Sequence, residues 1–142
     1  MKPAAVVLSV LFVLLFWPSH MPTQAQQKPE EPAQKSAEAW LALTDSGKYG
    51  ESWEEASSFF KERVSKEHWV NALTSVRSPL GKVLSRDLKS ARYTTSLPNA
   101  PAGEYVVIQY NTSFENKKDS IETITPLLDK DGKWRVSGYY IR

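Results

Sequence analysis

The chain has no cysteine. That excludes disulfides, thiolate catalysis, iron–sulfur clusters and cysteine-based zinc sites. Histidine is almost as scarce, with two in 142 residues. His20 lies in the N-terminal apolar segment, and His68 stands alone beside Trp69. A lone helix histidine without convergent partners reads as a surface residue. A Ser-His-Asp arrangement has only His68 to draw on, and no HExxH or glycine-rich phosphate loop occurs. Charge of one sign is also lacking, with 18 basic against 16 acidic residues. So balanced a chain is no nucleic-acid binder by composition. These absences leave neither a cofactor nor a metal to expect.

What is present is an ordinary globular mix, 41% hydrophobic and 24% charged. The first 25 residues stand apart. Lys2 precedes an apolar run over residues 4–17, broken only by Ser9 and closed by Pro18, and Thr23-Gln24-Ala25 offers a small-x-small cleavage site. This is the layout of a secretory signal peptide, shorter than the roughly 20 apolar residues of a membrane span. The expectation is removal after Ala25, no stable membrane anchor, and a periplasmic or secreted product. Residues 26–35 are polar, with two prolines, and read as a flexible linker.

Residues 36–142 read as a single α+β domain: three N-terminal helices packed on a curved four-stranded antiparallel sheet. Ser36 looks like an N-cap for Ala37, Trp40, Leu41 and Thr44 at helical spacing. Ser52 and Glu55 form a capping box ahead of the stripe Trp53, Ala56, Phe60 and Val64. Ser65 opens a third helix with Trp69, Ala72, Leu73 and Val76 on one face. Residues 82–97 read as a long strand with a bulge near Asp87. Residues 105–114 alternate cleanly, with Val106, Ile108, Tyr110 and Phe114 on one face. A third strand covers residues 120–128, and its Pro126 signals an edge position or a bulge. The last strand, residues 133–141, places Trp134, Val136 and Tyr140 on one face and Arg135, Ser137 and Tyr139 on the other. Asp129-Lys130-Asp131-Gly132 between them reads as a hairpin loop rather than a calcium loop.

Several stretches resemble domain-of-unknown-function family 4019, a set of exported bacterial proteins. They are Ala37-Glu38-Ala39-Trp40-Leu41, Asp45-Ser46-Gly47-Lys48-Tyr49, Gly103-Glu104-Tyr105-Val106-Val107 and Trp134-Arg135-Val136-Ser137-Gly138-Tyr139-Tyr140. The resemblance spans residues 36–141 and implies no activity. The order of helices and strands also resembles an NTF2-like or cystatin-like cone, an architecture that hosts enzymes, binders and scaffolds alike.

Two groups of residues emerge as candidates. Tyr105 and Tyr139 fall opposite the faces read as buried, so either the sheet is covered on both sides or they help form an exposed aromatic patch able to take a small molecule, peptide or glycan, or a second copy of the chain through the sheet. Asp45, Asp87 and Glu122 would face a cone interior with Arg77 or Arg86, an acid with a nearby arginine, or else belong to a salt-linked surface. The leading expectation is a non-enzymatic exported binding module. The alternatives are an NTF2-like enzyme using that acid, and a structural homodimer.

Overall fold

The structure is a computed structural model, and it describes residues 27–142. The expected signal segment lies outside the described residues. Four helices precede four strands: α1 Glu30–Asp45, α2 Tyr49–Glu54, α3 Ser58–Arg63, α4 Lys66–Arg77, then β1 Val83–Thr94, β2 Tyr105–Phe114, β3 Lys117–Leu128 and β4 Trp134–Ile141. The strands form one antiparallel sheet in the order β1-β2-β3-β4. The architecture is therefore α+β, with an open four-stranded meander following the helices, as the pattern of elements predicts.

Three helix boundaries differ from the sequence reading. α1 starts at Glu30, inside the stretch read as linker, and Ser36 lies within it rather than at its cap. Ala33 and Ala37 are fully buried there and extend the stripe of Trp40, Leu41 and Thr44 by a turn. Alanine buries little area but lets a helix approach a sheet closely, so a polar-looking segment still has a core face. Glu30 and Glu31 sit in the first turn, where the helix dipole favours acids. Ser36 instead donates its hydroxyl to the Trp134 carbonyl, at 2.7 Å.

The expected capping box is not formed. Ser52 is fully buried inside α2, and Glu55 follows its end. The Ser52 hydroxyl donates to the Tyr49 carbonyl and accepts the Trp69 indole N–H at 3.0 Å. Its own carbonyl accepts the Trp40 indole N–H at 2.8 Å. Two buried tryptophans need acceptors, and that demand outweighs a local cap. The expected helix from Ser52 breaks at Ser57, which caps α3 by accepting from the Phe60 N–H and gives its own N–H to Val136 in the sheet. Ser65 caps α4 as expected. In α4 the buried residues are Trp69, Leu73 and Arg77, while Val76 is exposed, so the inward stripe runs through an arginine.

β2 has the expected bounds and the expected inward face, with Val106, Ile108, Tyr110 and Phe114 buried, but Tyr105 on the other face is buried too. The register of β1 shifts between Leu88 and Ser90, two residues past the expected bulge. Pro126 lies in an interior strand, and the register of β3 on β4 shifts there. Thr125 pairs with Gly138 but Pro126 with Val136, which leaves Ser137 as the extra residue of a bulge in β4. A proline has no N–H to give, and the bulge sits where the ladder skips a rung. At the hairpin tip Gly132 adopts φ 81°, as its position requires.

The core lies between α1, α4 and the inner sheet face. Trp40 and Trp69 have ring centroids 6.0 Å apart, Phe60 meets Trp69 edge-on at 4.9 Å, and Tyr139 meets Trp40 edge-on at 5.2 Å. Trp53 and Trp134 pack at its margin. Phe59 does not join it; the Arg63 guanidinium lies over its ring instead.

Candidate functional site

Of the five charged residues singled out in the sequence, four converge, while Asp87, next to Arg86 on β1, alternates to the opposite face of the sheet. Asp45 ends α1, Arg77 ends α4, Arg86 lies on β1 and Glu122 on β3. Arg86 and Thr112 are paired across β1 and β2, and both point inward to Glu122. The Arg86 Nε donates to Glu122 Oε1 at 2.7 Å and its Nη2 to Oε2 at 3.2 Å. The Thr112 hydroxyl donates to Oε1 at 2.6 Å, and the Tyr139 hydroxyl donates to Oε2. On its other side Arg86 holds Asp45 bidentately, at 2.7 and 3.0 Å. Arg77 reaches Asp45 at 3.0 Å and lies 4.6 Å from the centre of the Phe114 ring.

Local structure explains why two guanidiniums gather there. The last residue of α1 sits at the negative end of a helix, which favours cations. An arginine fork also matches a carboxylate in geometry and carries less hydration than a lysine ammonium. Burial opposes the charge on Arg86, but its hydrogen bonds to Asp45 and Glu122 outweigh that and hold its pKa above the usual range. Burial first, then the Glu122 charge and hydrogen bond, push the Tyr139 phenol well above an ordinary tyrosine. Burial alone does most of the same for Tyr110, pushed up to about 12.

The chemistry of this cluster follows from counting. A carboxylate has about four acceptor positions. Glu122 is fully buried and receives four donors, two on each oxygen. It has no acceptor position left for a substrate proton. The arrangement fastens α1, β1, β2, β3 and β4 to one another, with α4 joined through Asp45.

The two tyrosines are not an exposed strip. Tyr105 is 1% exposed and donates its hydroxyl to the Pro101 carbonyl at 2.7 Å. The loop before β2 folds over its ring, with Gly103 close against Tyr105 and Leu127. Tyr139 faces the helices because the Ser137 bulge inverts the alternation of β4. The inversion turns Tyr140 outward instead, at 54% exposure.

The outer face of the sheet is open and polar. Asp87 pairs with Asn111, Asn111 with Ile121, and Ile121 exchanges both backbone hydrogen bonds with Arg142. The next row is Ser90, Gln109, Thr123 and Tyr140. A hollow of about 460 Å³ lies at the Asp87–Arg142 row, reaching Lys118 and Asp119. A larger depression of about 640 Å³ lies where α1 and α2 meet the start of β4, beside Trp134. Part of its polar lining is already paired, within the helices or within the hairpin. Glu54 binds Lys66, and Arg135 binds Asp129 and Asp131, the two acids of the hairpin loop.

Fold and site together describe a small α+β domain whose helices are pinned to an antiparallel meander by a buried ion network. The chain belongs to the family described as "Protein of unknown function (DUF4019)", whose model matches residues 36–139. No curated protein matches the sequence.

Proposed function

We propose that the chain is an exported, non-enzymatic binding domain whose recognition surface is the outer face of its sheet. The observation that supports this reading is the contrast between the two faces of β2 and β3. Inward, the acid that an enzyme of this shape would use has all its acceptor positions filled by Arg86, Thr112 and Tyr139. Outward, Asp87, Asn111, Asp119 and Arg142 surround an open hollow, with Tyr140 beside it. A fixed ladder holds those side chains in place, as a binding site on rigid elements requires. A homodimer joined sheet to sheet fits less well, because such interfaces are apolar at their centre and this face is mostly Ser, Thr, Asn and Gln. Export is supported by Lys2, the apolar run over residues 4–17 and Thr23-Gln24-Ala25.

Two measurements test this. Residues 1–25 fused to a reporter should direct it out of the bacterial cytoplasm; a reporter left inside counts against export. The isotope-labelled protein, titrated with the soluble fraction of a bacterial envelope, should show amide shifts clustered at Asn111, Thr123 and Arg142. Shifts confined to Glu122 and Arg86, with turnover of a component, would favour an enzyme.

A further inference from the structure

The geometry points to a neutral oligosaccharide as the ligand of the outer-face hollow, an inference that rests on the binding reading above. The charges around the hollow cancel: Asp87 and Asp119 stand against Lys118 and Arg142. An anionic ligand would meet two carboxylates, and a cationic one two cations. A neutral polyhydroxyl chain meets neither penalty. Each sugar hydroxyl both donates and accepts a hydrogen bond, so it suits a surface that mixes acceptors with donors at close spacing. Asp87 and Asp119 accept, Lys118 and Arg142 donate, and the Asn111 amide does both. Among the described residues, none of these side chains is hydrogen-bonded to another group of the protein, so none must give up a partner to take a ligand.

Tyr140 supplies the apolar part. It lies near the end of β4, two residues before Arg142 and on the same face, in the row of Gln109 and Thr123 next to the hollow. It is the one aromatic among the large exposed hydrophobics of the described residues. A tyrosine ring with a wet edge and a flat apolar face is a platform for the C–H face of a pyranose. A peptide is served less well. Ile121 is the one apolar residue lining the hollow, and peptide recognition draws its affinity from buried aromatic and apolar anchors. A flat, wet, hydrogen-bonding surface flanked by one ring is what remains.

The test uses the purified protein and three neutral probes: chitotetraose, cellotetraose and maltotetraose. At least one should give saturable amide shifts at Asn111, Asp119 and Arg142, with an affinity that barely changes between low and high salt, since no net charge is neutralised. Tyr140→Ala should weaken that binding about tenfold or more, the loss expected when a stacking anchor is truncated. Its melting temperature should match the parent, which shows the loss is not unfolding. The assignment is overturned if none of the three shifts these amides at about 10 mM, a concentration above the range of useful recognition. It is equally overturned if the shifts gather at Trp134, or if Tyr140→Ala binds as the parent does. Silence toward all three sugars, with the envelope fraction still perturbing the outer face, would reject the sugar and keep the binding domain. Silence toward both would reject the two together.

Discussion

Arg86 grips Glu122 side-on, Nε on one oxygen at 2.7 Å and Nη2 on the other at 3.2 Å. Both partners come from strands, one at the sheet edge and one from its interior. The pair therefore staples β1 to β3 across β2, which contributes Thr112 to the same carboxylate. Such a buried pair adds little over a well-packed apolar substitute, but losing one partner strands the other.

Glu122→Gln tests that. The amide keeps the shape, loses the charge, and turns a donor toward either Arg86 or the hydroxyls of Thr112 and Tyr139. We expect a loss of about 3–5 kcal/mol, read from urea unfolding. A loss below about 1 kcal/mol would show that the network is decoration on a core held by tryptophans.

Four phenols are raised, Tyr93, Tyr105, Tyr110 and Tyr139, and alkali should act chiefly through the two raised furthest, Tyr110 and Tyr139. In the unfolded chain Tyr110 and Tyr139 titrate near the ordinary value of 10.0; in the folded protein both titrate higher. Above pH 10 the folded state thus holds more protons than the unfolded state. Stability must then fall as pH rises, by at most about 1.4 kcal/mol per pH unit for each phenol. The contribution is fully present below pH 10, and for Tyr110 the loss is complete once pH passes about 12. Melting curves at increasing pH should show this, with a shallower slope in Tyr139→Phe. An unchanged slope in that variant would place the alkaline loss elsewhere.

The tyrosines near the sheet should separate by burial. Tyr105→Ala removes a ring that is 1% exposed, and should cost about 3–5 kcal/mol. Tyr140→Ala removes a ring that is half in water and should change stability by no more than about 0.5 kcal/mol. Equal effects in thermal melts would contradict the bulge-driven inversion of β4.

Ser52→Ala probes the tryptophan contacts. It leaves the Trp69 indole N–H buried without its acceptor while sparing the Trp40 bond, which goes to the backbone. The expected loss is about 1–3 kcal/mol, with a change in tryptophan fluorescence. Full stability would mean that another acceptor replaces the serine.

Much of this was legible from the chain. The α+β order, the bounds of β2, the Ser65 cap and the hairpin at Gly132 follow from alternation and capping, whereas the sequence leaves the gathering of Asp45, Arg77, Arg86 and Glu122 open against a salt-linked surface and wrongly groups Asp87 with them. The misses have local causes. Ala33 and Ala37 bury a face that composition hides, because alanine is small and its neighbours are polar. Ser52 has the spacing of a cap, but its real partner, Trp69, lies 17 residues away and only the fold brings it near. The outward tyrosine was misassigned by one position, since strict alternation cannot foresee Ser137. Pro126 was the available signal: a proline in an interior strand asks for a bulge, and here it sits in the partner strand, so every later side chain changes face.

Ser36 and Trp134 meet across 98 residues of chain. The final strand also brings Tyr139 to Glu122 and offers Val136 to the N–H of Ser57. Part of what fastens α1 and α3 is thus supplied by the last strand of the sheet. A chain halted before residue 134 keeps the Ser52 acceptors of Trp40 and Trp69 but loses the edge-on contact of Tyr139 with Trp40 and the strand that ties Ser36 and Ser57 to the sheet. Truncation ahead of β4 should therefore be as damaging as truncation within β1, because one strand takes all three partners away at once.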